Sequence, residues 1–460
     1  MKNKIKRITA FVLILGILAG TCGCRFVIRE EQVLLNPTEP GDYLADGLYQ
    51  DEPGVINQEP ELSGSLEIQI FTNESASSSA AWTAVIDAFE EATGVSVTAY
   101  IGSQVNTQMS KRWMGDNPPD IAFLDGSGIP VEALEASGAL YDLTELLQEG
   151  YVYGTDDKIW DVVNHDIFER YDSESCYYRA GFMASAYGTF YDSNYLQQLG
   201  VEAPTNYDEL MNTFLPAVRE KGNMAFTTYG TTGSYPTWSM VMPAIAAYGQ
   251  EYLDPVLMGT QEAWGREEVR EVLQRWYDFC HADGALLTGT ATYDHTTAQM
   301  KWLKHDSALI GNGIWLPWEV SNSTPTDFAM EYSTSPLTLP EQTPTVLAWP
   351  MAVILSSQSK NLENAKAFVR FLYTKQAQAV FISAYGYIGA RTDLDYTQIP
   401  GLSGASKRIL EYIYSNQVTL CWKRYTWGDL NDTVNGVVHG LMTGKLTVDQ
   451  AVETLTTKGN

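Results

Sequence analysis

Cysteine, histidine and basic residues are all scarce in this chain of 460 residues, and each shortage closes off a chemistry. The five cysteines stand at 22, 24, 176, 280 and 421, with no Cys-x-x-Cys pair. Neither a disulfide framework nor a thiolate metal or redox motif is supported; Cys176, Cys280 and Cys421 allow at most one bridge and read preferentially as buried free thiols. The five histidines, His165, His281, His295, His305 and His439, show no metal-ligand spacing. Lys and Arg number 29 against 56 Asp and Glu, for a formal net charge of -27. That excess argues against nucleic acid, whose phosphates need a basic face. Past the N-terminal segment, no apolar run reaches the roughly 18 residues of a membrane-spanning helix. His-Glu-x-x-His, Gly-x-Ser-x-Gly, the P-loop and Gly-x-Gly-x-x-Gly are all missing. Ser357-Gln-Ser-Lys360 has Ser-x-x-Lys spacing, but its companions Ser-Asp-Asn and Lys-Thr-Gly are missing too. No catalytic residue, metal site or cofactor is therefore expected, and the chain is read as a non-enzyme.

What the sequence does have is aromatic side chains, 12 Trp and 27 Tyr among them. Such faces suit cores and also flat apolar ligands such as sugar rings. Its N-terminus is equally informative. Lys2, Lys4, Lys6 and Arg7 precede an apolar stretch from Ile8 to Ala19, then small residues and the pair Cys22-Gly23-Cys24. This is a secretory signal pattern. It resembles a bacterial lipoprotein signal, in which the cysteine after the cut is acylated. Cys24 has the small Gly23 before it but Thr21 in the aliphatic position; Cys22 has Ala19 there and Thr21 before it. Cys24 is preferred and Cys22 is the alternative, with residues 1–23 as the signal peptide. Residues 24–63, rich in Pro, Gly, Asp and Glu, read as an extended flexible linker between a membrane anchor and the body.

The body begins near Gly64. Leu66, Ile68 and Ile70 alternate as in a half-buried strand, and Trp82, Val85, Ile86 and Phe89 recur at helical spacing. "VSVTAYI" then returns as a strand, which makes a βαβ unit and favours parallel pairing. A helix broken by Asn117-Pro118-Pro119 and the short strand "DIAFL" continue the alternation. In α/β sheets ligands gather at the carboxyl ends of strands, which points to Asn73 and Glu74 after the first strand and to Asp125 after a later one.

Further landmarks follow in order: "AVIDAFEEATGVSV", "MGDNPPDIAFLDG", "LEASGALYDLTELL", "YGTFYDSNYLQQLGVEAPTNYDELMNTFLPAV", "ALIGNGIWLPWEV", "MAVILSSQSKNLENAKAFVRFLYTKQAQ" and "TGKLTVDQAVETL". Taken together over residues 64–456, they resemble the extracellular solute-binding proteins of ABC-type importers, in the branch that includes maltose-binding protein. Two departures stand out. Tyr207 replaces a common Trp, and "VLAWPMAVIL" lacks a common Gly-Gly pair. The resemblance implies a two-lobed α/β periplasmic-binding-protein-like fold (type II), with a ligand cleft between lobes joined by crossover strands. The crossings would fall at 185–191, 347–353 and 391–396. One lobe would hold 64–186 with 350–392, the other 187–349 with 393–460.

The same resemblance implies function. A lipid-anchored, extracytoplasmic, monomeric receptor would capture a solute, in this branch usually a carbohydrate, and hand it to ABC permease subunits. Tyr235 and Trp238 in "GSYPTWSM", Trp315 in "GNGIWLPW" and Trp427 in "RYTWGDLND" fall where the family places aromatic plates. Each of these has a competing reading as core, and Trp113 and Trp276 read as packing. Arg391 reads either as a partner for an acidic sugar or as an exposed turn residue. Two alternatives stay open. One is the same fold binding a polyamine, peptide-like compound or metal chelate; the other is a secreted carbohydrate-active enzyme or surface adhesin.

Overall fold

The computed structural model describes residues 50–57, 59–72, 76–124, 129–168, 176–396, 399–415, 418–422, 427–428 and 430–459. Cys22, Cys24, Asn73, Glu74 and Asp125 lie outside the described residues. Strand β1 (Ser65–Phe71) pairs in parallel with β2 (Ser96–Gly102), from Ser65 opposite Ser96 to Phe71 opposite Gly102. On its other side β1 runs parallel to β3 (Ile121–Leu124). The helix Ala76–Thr93 joins β1 to β2, and its periodic residues Trp82, Val85, Ile86 and Phe89 are all buried. Trp82 packs edge-on or tilted against Phe123, Phe182 and Phe381 at centroid distances of 4.8–5.7 Å. Gly94, with φ at 72°, ends the helix.

Two long strands then change partners part-way along. The first half of β4 (Ala180–Asp192) pairs antiparallel with β8 (Thr345–Leu355), up to Ala186 opposite Ala348. From Tyr187 onward β4 pairs instead with β6 (Ser307–Gly313), and from Thr189 also with β7 (Met330–Ser333). β5 (Met224–Thr228) adds to β6 in parallel. β8 in turn pairs with β10 (Thr419–Trp422) over Thr345–Ala348 and with β3 over Ala352–Leu355. The short β9 (Ile388–Gly389) lies against Met183 and Ala184 of β4. Among the described residues the sheet order is therefore β2-β1-β3-β8-β4-β6-β5, one continuous path through two lobes.

The exchange on β4 takes place over glycine. A Cβ at Gly188 would meet the Tyr332 ring at 2.3–2.6 Å, and the Tyr332 hydroxyl donates to the Tyr187 carbonyl at 2.9 Å. Tyr332 is thus seated against bare backbone beside the crossing. Replacing Gly188 with alanine is expected to lower the melting temperature by several degrees, since a buried ring has no free volume to retreat into. A melting temperature within one degree of the parent in a thermal scan would contradict this.

Local chemistry explains the landmark segments. In "DSNYLQQLG", the Asp192 carboxylate caps the helix Ser193–Leu199 and Gly200 closes it with φ at 72°. In "PTNYDEL", Asn206 caps the next helix through the Glu209 N–H, while the Glu209 carboxylate accepts from the Thr205 N–H at 2.9 Å. The Asp120 of "PPDIAFL" accepts from the Glu67 N–H, the Ser359 hydroxyl and the Asn361 amide, which joins β1 to the loop opening the helix Leu362–Phe371.

The N-terminal segment departs from expectation. Residues 51–57 and 59–63, read as part of a flexible linker, are docked on the body through hydrogen bonds. Asp51 accepts from the Arg391 guanidinium at 2.9 Å and from the Lys375 N–H at 2.8 Å. The Asp156 carboxylate accepts from three successive N–H groups, those of Val55, Ile56 and Asn57. These bonds hold Asp156 below the ordinary 3.8 of an aspartate. Glu59 takes both terminal nitrogens of Arg370, at 2.5 and 2.9 Å. Composition gave no sign of this, because every partner lies about 100 residues or more away along the chain.

Cys176, Cys280 and Cys421 form no disulfide among the described residues, and burial raises the Cys280 thiol well above 9 and Cys421 to about 11. Among the described residues no helix is long and apolar enough to cross a membrane.

Candidate functional site

The partner exchange gathers aromatic rings from separate segments around Tyr187. Tyr187 is the first residue of β4 beyond its pairing with β8, so it stands where the strand changes partners. It meets Trp349 of β8 at 4.8 Å, Trp315 after β6 at 4.9 Å and Tyr235 at 5.1 Å. Trp315 also faces Trp349, Tyr387 and Tyr235 at 6.3–6.4 Å, nearly edge to face. Tyr229, one residue past β5, meets Tyr235 at 5.1 Å. Tyr229 and Trp315 follow the carboxyl ends of parallel β5 and β6, where an α/β sheet presents its ligands. Except for the buried Tyr387, these rings are only part-buried.

Backbone geometry sets the Trp315 indole. A Cβ on Gly313 would lie 2.2–2.4 Å from its ring carbons, so the indole rests flat on a glycine at the strand end. Burial raises the Tyr235 phenol well above 10, with nearby Tyr187 and Glu319 adding to the effect, so its hydroxyl is held neutral as a donor. Gly313→Ala is expected to evict the indole and weaken ligand binding by about tenfold or more, a change readable by calorimetric titration.

A polar edge closes the box. His295 opens the helix His295–Trp302, which Asp294 caps by accepting from the Thr297 N–H at 2.7 Å. Its ring lies 5.4 Å from Tyr235 and 6.0 Å from Tyr229, and its Nε2 is 3.1 Å from Glu319 Oε2. The buried Gln299 donates to the same oxygen at 2.6 Å. No group of three or more His, Cys, Asp or Glu able to hold a metal occurs among the described residues.

Of the aromatic residues singled out from sequence, Tyr235 and Trp315 belong to this box. Trp238 and Trp427 do not. They stack on each other at 4.9 Å and 25° inside the second lobe, 6% and 1% exposed, and the Trp427 N–H donates to the Val256 carbonyl at 2.8 Å. Their chemistry matched a sugar plate, but the segment Thr237–Val241 is buried throughout and carries Trp238 inward. Trp427→Ala is accordingly expected to cost about 3–5 kcal/mol of stability through the cavity it leaves. Denaturant unfolding checks this, and a loss below 1 kcal/mol would return Trp427 to the surface.

Arg391 is neither ligand-facing nor in an exposed turn. Its side chain is 0% exposed and takes Asp393 with two 2.7 Å bonds, along with Asp51 and the Tyr373 carbonyl. Trp113 and Trp276 are buried packing residues, as read. Sequence reasoning missed Tyr187, Tyr229, Trp349, Tyr387, His295 and Glu319. A signal did exist for two of them, since Tyr187 and Trp349 stand inside the stretches read as crossings.

Two α/β lobes joined by shared long strands are the architecture of solute-binding proteins. The chain matches the bacterial extracellular solute-binding protein family over residues 73–379, and it belongs to that family. No curated protein matches it. Solved structures share the fold at low identity. Apo RafE from Streptococcus pneumoniae aligns with a TM-score of 0.67 at 17% identity, covering 87% of this chain and 98% of its own; RafE is also known in complex with raffinose. The GacH receptor of Streptomyces glaucescens, solved unliganded and with acarbose, aligns at 0.63 and 16% identity, covering 86% and 97%. A chitin oligosaccharide binding protein aligns at 0.66 and 18% identity, covering 85% and 97%.

Proposed function

We propose that this protein is a lipid-anchored receptor that captures a carbohydrate between its lobes and delivers it to ABC permease subunits. The observation that carries the reading is the aromatic box at the point where β4 changes partners. Ring faces cover the C–H faces of a sugar, and the neutral Tyr235 hydroxyl can donate to its oxygens. RafE in complex with raffinose, GacH in complex with acarbose and the chitin oligosaccharide binding protein support the same ligand class.

The lobes are assigned as 64–186 with 350–392 and 187–349 with 393–460, with the docked residues 51–57 and 59–63 joining the first. A ligand touching both lobes favours the closed state by its differential affinity, and closure is the signal a permease reads. Asn73, Glu74 and Asp125 remain candidate contacts from the first lobe. The anchor would be Cys24, or Cys22, and places the protein outside the cytoplasm on the cell membrane.

Small-angle scattering of the mature chain tests closure. A bound oligosaccharide is expected to reduce the radius of gyration, and a polyamine or metal chelate that did so instead would keep the fold but replace the ligand. Mass spectrometry of the mature N-terminal peptide tests the anchor. Acyl mass on Cys24 supports it, and an unmodified N-terminus rules it out.

A further inference from the structure

The aromatic faces of the box would take many sugars, so selectivity must come from its polar edge. Glu319 is the carboxylate held there. It ends the short helix Leu316–Glu319 that follows the Trp315 turn, so the same segment delivers an aromatic plate and an acid to one place. Both of its hydrogen-bonding neighbours, the Gln299 amide at 2.6 Å and His295 Nε2 at 3.1 Å, lie on Oε2. Oε1 is left for another donor. Gln299 is 3% exposed, so the carboxylate is braced from the interior side, while Glu319 itself keeps a side-chain exposure of 35%.

The surroundings favour a cationic donor. Tyr229 and Tyr235 meet the ring of His295, and π faces attract a cation brought over them. Among the described residues, no Lys or Arg pairs with Glu319 or lies over the rings of Tyr229 and Tyr235. The chain's net charge of -27 draws cations toward it. A second polar group awaits a partner nearby. Ser185 Oγ is 1% exposed and unpaired, two residues before Tyr187 on the same face of β4 and opposite Trp349. A sugar hydroxyl or a bridging water in the box would satisfy it.

We propose that Glu319 is the specificity-determining residue of this cleft, that it reads an ammonium group on the bound sugar, and that Gln299 and His295 position it. The proposal rests on the carbohydrate reading of the box and narrows it to amino sugars. An ammonium brought against a braced carboxylate in a partly desolvated site makes a charge-assisted hydrogen bond, stronger than any a neutral hydroxyl offers.

The test uses disaccharides of one skeleton: cellobiose, N,N′-diacetylchitobiose and chitobiose with free, protonated amines. Calorimetric titration of the mature chain is expected to show the diamine bound at least about tenfold tighter than cellobiose. Glu319→Gln should erase that preference by costing the diamine far more affinity than it costs cellobiose, and Glu319→Asp should restore part of it. Gln299→Leu, which frees the carboxylate without removing its charge, should narrow the preference and not abolish it. Thermal unfolding of each variant checks the fold, and Gln299→Leu carries the test if Glu319→Gln does not fold. Equal or tighter binding of either neutral sugar by the parent overturns the proposal, as does an equal loss for all three in Glu319→Gln. If none of the three binds, the ammonium reading falls, while a broader sugar panel decides the carbohydrate reading separately.

Discussion

Trp315→Ala is expected to weaken sugar binding at least tenfold, about 1.4 kcal/mol, and to lower the melting temperature by no more than a few degrees. The indole is part-buried and rests on the bare backbone of Gly313, with its contacts made to other cleft rings. Truncation removes the plate that would cover a sugar face, and neighbouring Tyr187 and Trp349 can relax only partly into the space. The contrast with Trp427→Ala is the informative part. That variant opens a cavity in a region 1% exposed, so its loss falls on stability and leaves the box intact. Titration calorimetry and thermal scans on both proteins separate the cases. Unchanged affinity in Trp315→Ala would move the indole to the packing residues and take the box's central plate away.

A stability effect as large as that of Trp427→Ala is expected at the docked N-terminal segment. Arg391→Met should cost about 3–5 kcal/mol at neutral pH, the magnitude of breaking a buried ion pair from one side. The guanidinium is fully buried and satisfies Asp51, Asp393 and a backbone carbonyl, so methionine strands the buried Asp51 carboxylate, while Asp393, 38% exposed, keeps Lys375 as a partner. The pH dependence follows from their opposite shifts. Burial raises Asp51 above 3.8 even with Arg391 beside it, and losing the cation raises it further. A raised native pKa means stability falls as pH rises past 3.8, so the variant suffers most near neutrality. For Asp393, burial opposes ionisation, but Arg391 and Lys375 outweigh it and hold the carboxyl below 3.8. The parent therefore has a stabilising contribution from Asp393 above 3.8 that fades as pH drops below it. Both shifts narrow the gap between parent and variant in acid, that of Asp51 as pH falls toward 3.8 and that of Asp393 as it falls further. Urea unfolding at several pH values checks this, and a gap that widens in acid would contradict the assignment. Chains begun at Gly64 would lose Asp51 and Glu59 together and are expected to melt earlier than chains that keep them.

The fold was legible at two levels. The ordered landmarks over residues 64–456 implied the two-lobed α/β architecture, which the family match and the solved structures bear out, and the local elements were legible as well. The helix bearing Trp82, Val85, Ile86 and Phe89 and the parallel strands on either side announce themselves through periodicity, because burial of one face needs neighbours at fixed spacing. The candidate site was legible only in part. Its rings come from β4, β8 and the segments after β5 and β6, and nothing in a local pattern records which aromatic residues those strands bring together. Trp315 and Trp427 are the same residue type in similar loop contexts; one lies over a glycine at the cleft and the other donates to Val256 in the core. Depth in a packed interior is a property of the whole chain. The docked segment failed for a related reason. Pro, Gly and acidic residues describe a linker well, yet Asp51 and Glu59 found arginines more than 300 residues away.

The central claim is that the box around Tyr187 holds a carbohydrate, and the most direct measurement is a calorimetric screen of the mature chain. Neutral and amino sugars, polyamines and metal chelates would be titrated under one set of conditions. The account predicts heat from a carbohydrate class alone, with one site per chain, and stabilisation of roughly 2.7 kcal/mol when that sugar is present at a hundred times its dissociation constant. Binding confined to polyamines or chelates, or no heat from any sugar, would contradict it.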